Sequence, residues 1–173
     1  QNWKEKPPKK DCTDDPRRAD PALNGIVPSN YRKVFNMKEI INILIDDQDF
    51  FEIKPEFAKN IITGFARFGG RPVGIIANQS THLGGCLTVE SSLKSSRFVR
   101  FCNAFNMPML FLVDTPGYLP GAGQEHAGII RHGAKLLYAV CESTVPKISV
   151  VIRKAYGGGM MAMGAHKEHG MDL

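Results

Sequence analysis

The heptapeptide Arg153-Lys154-Ala155-Tyr156-Gly157-Gly158-Gly159 stands between an apolar run and the start of a helical pattern. Glycine lets the main chain approach a ligand with no side chain in the way. The first turn of a helix also holds N–H groups without an intrahelical acceptor, and a partial positive charge. Together these make an oxyanion hole or a phosphate cradle. The competing reading is tight packing of strand against helix. Consecutive glycines at 157, 158 and 159 exceed what such packing usually asks, which favours chemistry.

Other candidates are weaker. Asp114-Thr115-Pro116-Gly117 after an apolar run resembles the metal-side switch of a GTPase, but the Gly-x-x-x-x-Gly-Lys-Ser/Thr loop that must accompany it is absent, and Gly84-Gly85 lacks the lysine. The tetrapeptide reads as a Pro/Gly turn. His82, His126, His132, His166 and His169 form no HExxH and read as surface or loop residues. Glu125-His126 reads as a helix start, with Glu125 as a favourable first-turn acid. Cys86 follows Gly84-Gly85, yet no base is indicated beside it, and no Gly-x-Ser-x-Gly is present.

The elements that must position these residues follow from periodicity. Residues 1–34 carry Pro7-Pro8, Asp15-Pro16, Asp20-Pro21 and Val27-Pro28, with few apolar side chains, so 1–35 reads as a linker or arm and 36–173 as the folded domain. A chain opening on such an arm looks like the second half of a larger protein. Asn36 caps a helix with Ile40, Ile41, Leu44 and Ile45 at helical spacing. Strands are expected over 60–67 and 71–77, joined by Gly69-Gly70 as a hairpin. A helix over about 91–106 would bury Phe98, Phe101, Cys102 and Phe105 and expose Lys94, Arg97 and Arg100. Residues 109–113 read as a strand buried on both faces, and 148–152 as another. A helix over roughly 125–143 would turn Ile129, Ile130, Ala134, Leu137 and Val140 inward. The glycine run then opens a last helix through Met160, Met161, Ala162 and Met163. Alternating strands and helices indicate a parallel α/β arrangement, with functional loops at the C-terminal ends of strands, here after Asp114 and after Arg153.

A hydrophobic fraction of 43% over 173 residues is enough for a real core. The net charge of +5 comes from basic residues scattered among acidic ones, so it argues for an ordinary surface and not for nucleic acid. No apolar run reaches membrane-spanning length, so no membrane insertion is expected. Cys12, Cys86, Cys102 and Cys141 include no CxxC pair, and the last three read as buried free thiols in a reducing, cytoplasm-like compartment.

From about Asp46 onward the chain resembles the C-terminal domain of the carboxyltransferase (β) subunits of biotin-dependent acyl-CoA carboxylases, the propionyl-CoA carboxylase β-like family. The resemblance rests on Asp49-Phe50-Phe51-Glu52-Ile53, Asn60 through Arg67, Gly70-Arg71-Pro72-Val73-Gly74, Arg97 through Cys102, Gly117-Tyr118-Leu119-Pro120-Gly121, Gln124-Glu125-His126, Arg131 through Tyr138, Thr144-Val145-Pro146-Lys147 and Arg153 through Gly158. The arm with Asp11-Cys12-Thr13-Asp14 looks like this family's interdomain linker.

The resemblance implies a crotonase-like α/β fold of ββα units, here an incomplete C-terminal carboxyltransferase domain. It implies movement of a carboxyl group from carboxybiotin, held on a separate carrier protein or domain, to the α-carbon of a short acyl-CoA. Carried over residue by residue, backbone N–H donors to the biotin ureido oxygen fall at Gly158 and Gly159, with Gly157 beside the substrate and no metal required. Implied partners are a biotin carboxylase and biotin carboxyl carrier, and further copies of the subunit as dimers assembling to a hexamer. The implied setting is cytoplasm or mitochondrial matrix. Two departures stand out. The family often reads Gly-Gly-Ala-Tyr where this chain has Gly157-Gly158-Gly159-Met160. The next position, an aspartate in several propionyl-CoA enzymes and tied to acyl-chain choice, is Met161. The chain also stops at Leu173, where relatives continue. Alternatives within the family are the carboxyltransferase subunit of a sodium-pumping acyl-CoA decarboxylase, or a transcarboxylase. Outside it stands a non-catalytic binding or assembly module.

Overall fold

The protein is described from a computed structural model, which covers residues 6–15, 17–165 and 171–173. Five strands form one sheet in sequence order: β1 (Phe51–Glu52), β2 (Ile61–Phe68), β3 (Arg71–Asn78), β4 (Met109–Thr115) and β5 (Lys147–Ala155). β1, β2 and β3 pair antiparallel, whereas β3, β4 and β5 run parallel. The expected hairpin is present: Phe68 pairs with Arg71 across Gly69 and Gly70, both at positive φ, where glycine carries no steric penalty. Each parallel step needs a crossover long enough to hold a helix. Helix α3 (Val89–Ala104) supplies the first and α5 (Ile129–Glu142) the second.

Successive strand residues point to opposite faces. Ile61, Ile76 and Phe111 therefore enter the core under α3 and α5, while Ile62, Ile75 and Leu112 enter a second core under α2 (Met37–Leu44). Burial on both faces is what gives β3 and β4 their unbroken apolar runs. Asn36 caps α2 as expected, accepting from the Lys38 amide at 3.2 Å. The same cap is tied to the end of β3, because Gln79 Nε2 donates to Asn36 Oδ1 at 2.7 Å. Among its described residues the arm holds a short helix, α1 (Leu23–Ile26), and Lys10 N donates to Gly70 O at 2.9 Å.

Several expectations are corrected. Lys94 is buried, at 5% exposure, and Phe101 is 45% exposed, the reverse of the expected faces of α3. The buried side of this helix joins small residues, Ser91, Ser92 and Ser95, to Phe98, Val99 and Cys102. The helix expected over 125–143 breaks in two, α4 (Ala122–His126) and α5, at Gly128 with φ +83°. Glu125-His126 thus ends a helix and does not begin one. On α5, Ile129 and Val140 are buried as expected, together with Gly133, Leu136 and Ala139, whereas Ile130 is 84% exposed. β5 is the last strand of the sheet, and Ile148, Val150 and Val151 are exposed where burial was expected. Cys102 is buried as expected, but Cys86 is half-buried and Cys141 exposed.

Candidate active site

The site is assembled where β4 and β5 end side by side. Beyond Val113 the pairing slips, so that Thr115 lies opposite Ala155. This irregularity frees the ends of both strands to turn toward one another. Asp114 holds the junction. It is wholly buried, accepts from Arg153 Nε at 3.2 Å and Nη2 at 3.0 Å, and accepts from the Lys154 amide at 3.1 Å. Its own amide donates to Asn78 Oδ1 at 3.1 Å, and Gly85 packs so closely on its carbonyl that an added Cβ would lie 2.4 Å away. The Asp114 turn of the sequence is therefore a charged clamp. Arg153 reaches further, donating from Nη1 to Lys33 O at 2.7 Å and stacking over the Phe35 ring at 4.9 Å, which ties the arm to the strand end.

Helix α6 (Gly157–Ala162) starts immediately after β5, with Tyr156 as its N-cap and no side-chain cap hydrogen bond. The first intrahelical bond in view is Met160 N to Tyr156 O, at 3.2 Å. First-turn geometry leaves the N–H groups of Gly157, Gly158 and Gly159 without intrahelical acceptors. The three glycines differ in what surrounds them. Gly157 has φ +54° and open space where a Cβ would stand. Gly158 is half-buried, and a Cβ there would make ordinary contact with the Tyr118 ring at 3.4 Å. Gly159 is buried, and its Cβ would meet Gly117 Cα at 2.8 Å, so packing as well as chemistry demands glycine there.

Gly158 and Met161 both open on a cavity of about 320 Å³, walled also by Tyr118, Ile130, Gly133 and Leu137. Met161 is 37% exposed at this surface. The cavity thus brings together two of the positions carried over by resemblance, with Gly157 and Gly159 flanking them. Tyr118 and the α5 face were not expected in it; a glycine inside a helical pattern, Gly133, was the signal that something packs against that helix.

The remaining candidates lie elsewhere or lack the chemistry. Burial pushes the Cys86 thiol above its ordinary value, with Lys154 opposing, which disfavours the thiolate. His82 and His126 are exposed, and His166 and His169 lie outside the described residues. Among the described residues no cluster of His, Cys, Asp and Glu could hold a metal ion, and no helix is long and apolar enough to cross a membrane.

Comparison with known proteins gives the geometry a context. The description of the carboxyl transferase domain matches residues 1–171. The propionyl-CoA carboxylase beta chain of Roseobacter denitrificans is 55% identical over 164 residues, covering 95% of this chain and 32% of that protein. The methylmalonyl-CoA decarboxylase subunit alpha of Veillonella parvula is 54% identical over 162 residues, covering 94% of this chain and 32% of that protein. A crystal structure of transcarboxylase 12S with methylmalonyl-coenzyme A and methylmalonic acid bound superposes with a TM-score of 0.96 at 46% identity, covering 99% of this chain and 33% of that one. The chain spans about a third of the length of the relatives it matches. The mixed sheet with its helical crossovers is accordingly the crotonase-like fold of the carboxyltransferases, and the chain belongs to the carboxyl transferase domain family.

Proposed function

We propose that this chain is the biotin-side part of an acyl-CoA carboxyltransferase, moving a carboxyl group from carboxybiotin to the α-carbon of a short acyl-CoA. The observation that carries this reading is the uncapped first turn of α6 opening beside a cavity at Gly158. Biotin, borne on a separate carrier, would supply the carboxyl group, and its ureido oxygen would take negative charge on release. The cradle suits such a group. Gly157 has open space around it, Gly158 meets only an aromatic ring edge, and the donors are neutral amides.

In this reading the N–H groups of Gly158 and Gly159 point at the developing charge. Preorganised donors of this kind cost no reorganisation at the moment of reaction. Asp114 and Arg153 keep the end of β5 in place, so the donors do not wander. Met161 meets the acyl group, and its flexible apolar side chain, in place of the aspartate of several propionyl-CoA enzymes, admits a different acyl group. Residues 1–35 serve as the interdomain linker and 36–173 as carboxyltransferase domain. The working partners are a biotin carboxylase with its carboxyl carrier and further copies of the subunit. The setting is cytoplasm or mitochondrial matrix.

The high identity to a methylmalonyl-CoA decarboxylase subunit, together with the transcarboxylase likeness, supports a second reading in which the same site works in a decarboxylase or transcarboxylase. Supplying a biotin carboxylase or a membrane decarboxylase subunit to the complete protein separates the two. The site itself is tested by Gly158→Pro, which removes one N–H from a helix first turn where proline is tolerated. Carboxyl transfer should fall by about a hundredfold in a folded variant. Unchanged turnover would remove the oxyanion role.

A further inference from the structure

The cavity beside Gly158 has one rigid wall, and that wall is Tyr118. Its ring lies between two glycines on different helices. An added Cβ at Gly133 of α5 would stand 2.8 Å from Tyr118 Cζ and Oη, and one at Gly158 of α6 would stand 3.4 Å from Cδ2 and Cε2. The hydroxyl faces Ser92 on α3. The main chain on either side is pinned to Leu87, which donates to Gly117 O at 2.9 Å and accepts from the Leu119 amide at 2.8 Å. Tyr118 is thus held by α3, α5, α6 and the Leu87 segment together.

The other walls are different in kind. Ile130 is 84% exposed and Met161 is 37% exposed, so both can swing aside for a guest. Leu137 and Ala134 complete an aliphatic lining that suits hydrocarbon, not charge. A pocket with yielding walls on one side and a fixed wall on the other takes its limiting dimension from the fixed one.

Resting on the carboxyl-transfer reading above, we propose that Tyr118 is a specificity-determining residue that sets the longest acyl chain the site accepts, with Gly133 required so that the ring sits clear of the cavity. Met161 tunes the fit within that limit; Tyr118 sets the limit.

The test compares kcat/KM for hexanoyl-CoA and propionyl-CoA in the complete carboxylase assembly carrying Tyr118→Leu, Tyr118→Phe or Gly133→Ala. Tyr118→Leu should raise the hexanoyl-to-propionyl ratio by at least about tenfold, since even one further methylene housed in an apolar pocket carries that order of discrimination. Tyr118→Phe keeps the ring and should keep the ratio. Gly133→Ala pushes the ring toward Gly158 and should lower the ratio, so it decides the matter if Tyr118→Leu does not fold. An unchanged ratio in folded Tyr118→Leu or Gly133→Ala overturns the proposal. So does a raised KM for the biotin carrier at unchanged acyl ratio, which would assign the cavity to the other substrate. Failure of the parent enzyme to carboxylate any acyl-CoA would instead overturn the carboxyl-transfer reading, and this proposal with it.

Discussion

Asp114, fully buried at the end of β4, receives two hydrogen bonds from the guanidinium of Arg153 at the end of β5, at 3.2 and 3.0 Å. Two parallel strands are thereby locked together where both turn into the site. Removing one partner of a buried ion pair strands the other charge, which costs more than the pair contributes. Asp114→Ala should therefore lower stability by about 3 kcal/mol. Urea unfolding checks this, and in a double-mutant cycle with Arg153→Met the two losses should be far from additive.

The glycine run predicts an asymmetry. At Gly159 an added methyl would lie 2.8 Å from Gly117 Cα, a backbone atom with nowhere to go. At Gly158 it would lie 3.4 Å from a ring edge. Gly159→Ala should cost about 1–3 kcal/mol by overpacking, while Gly158→Ala should leave the melting temperature nearly unchanged. Equal melting temperatures for the two variants would contradict the packing described.

Lys94 places an ammonium in the core under α3, donating to Phe57 O and Ile61 O, each at 2.8 Å. Burial lowers its pKa from 10.5 to about 8, only partly offset by Glu52. Below about 8 the folded and unfolded chains both hold the proton, and above 10.5 neither does. Between those values the unfolded chain holds more protons, so this residue makes stability rise with pH. The stability of the parent relative to Lys94→Met should rise across that window, by on the order of 3 kcal/mol in all. Chemical denaturation at a series of pH values reads it directly, and a flat difference would show that the ammonium is not desolvated.

Asp46 works in the opposite pH range. Burial resists its ionisation, but the amides of Gly70 at 2.7 Å and Gly69 at 2.9 Å, with Cys12 and Arg18, hold its pKa below the ordinary 3.8. The stabilisation is complete above 3.8 and is lost as pH falls through the lower, folded-state value. Asp46→Asn should destabilise by about 1–3 kcal/mol at neutral pH and flatten the acid limb of the unfolding curve. Because Asp46 seals the Gly69-Gly70 turn on which Lys10 also docks, protease cleavage within residues 6–15 should accelerate in the same variant.

Much of this fold was legible because its central strands announce themselves. Ile75-Ile76 and Phe111-Leu112 place neighbours on opposite buried faces, and Gly69-Gly70 marks a two-residue hairpin. Spacing misled at Ile130, which matched Ile129 and Val140 yet faces out while those two are buried. Lys94 looked like a surface residue because charge is the usual sign of exposure, whereas its ammonium reaches inward to the carbonyls of Phe57 and of Ile61 at the start of β2. β5 looked central because Val150 and Val151 are apolar, and no local pattern reports which strands end up beside it. At the site, the glycines were visible as a run. Asp114 was not seen as a clamp, since its partner Arg153 is distant in sequence and only the parallel pairing of β4 with β5 brings them together.

The change from antiparallel to parallel pairing at β3 also orders events in time. The β2–β3 hairpin closes across two residues, so it is a nearly local structure. β4 and β5 join only after whole helical crossovers have been placed, and contacts distant in sequence form late. Amides of β2 and β3 should accordingly gain protection before those of β5 in pulsed hydrogen exchange during refolding. The turn at Gly157 would then be among the last parts to reach native geometry, and a chain stalled midway would be ordered yet inert.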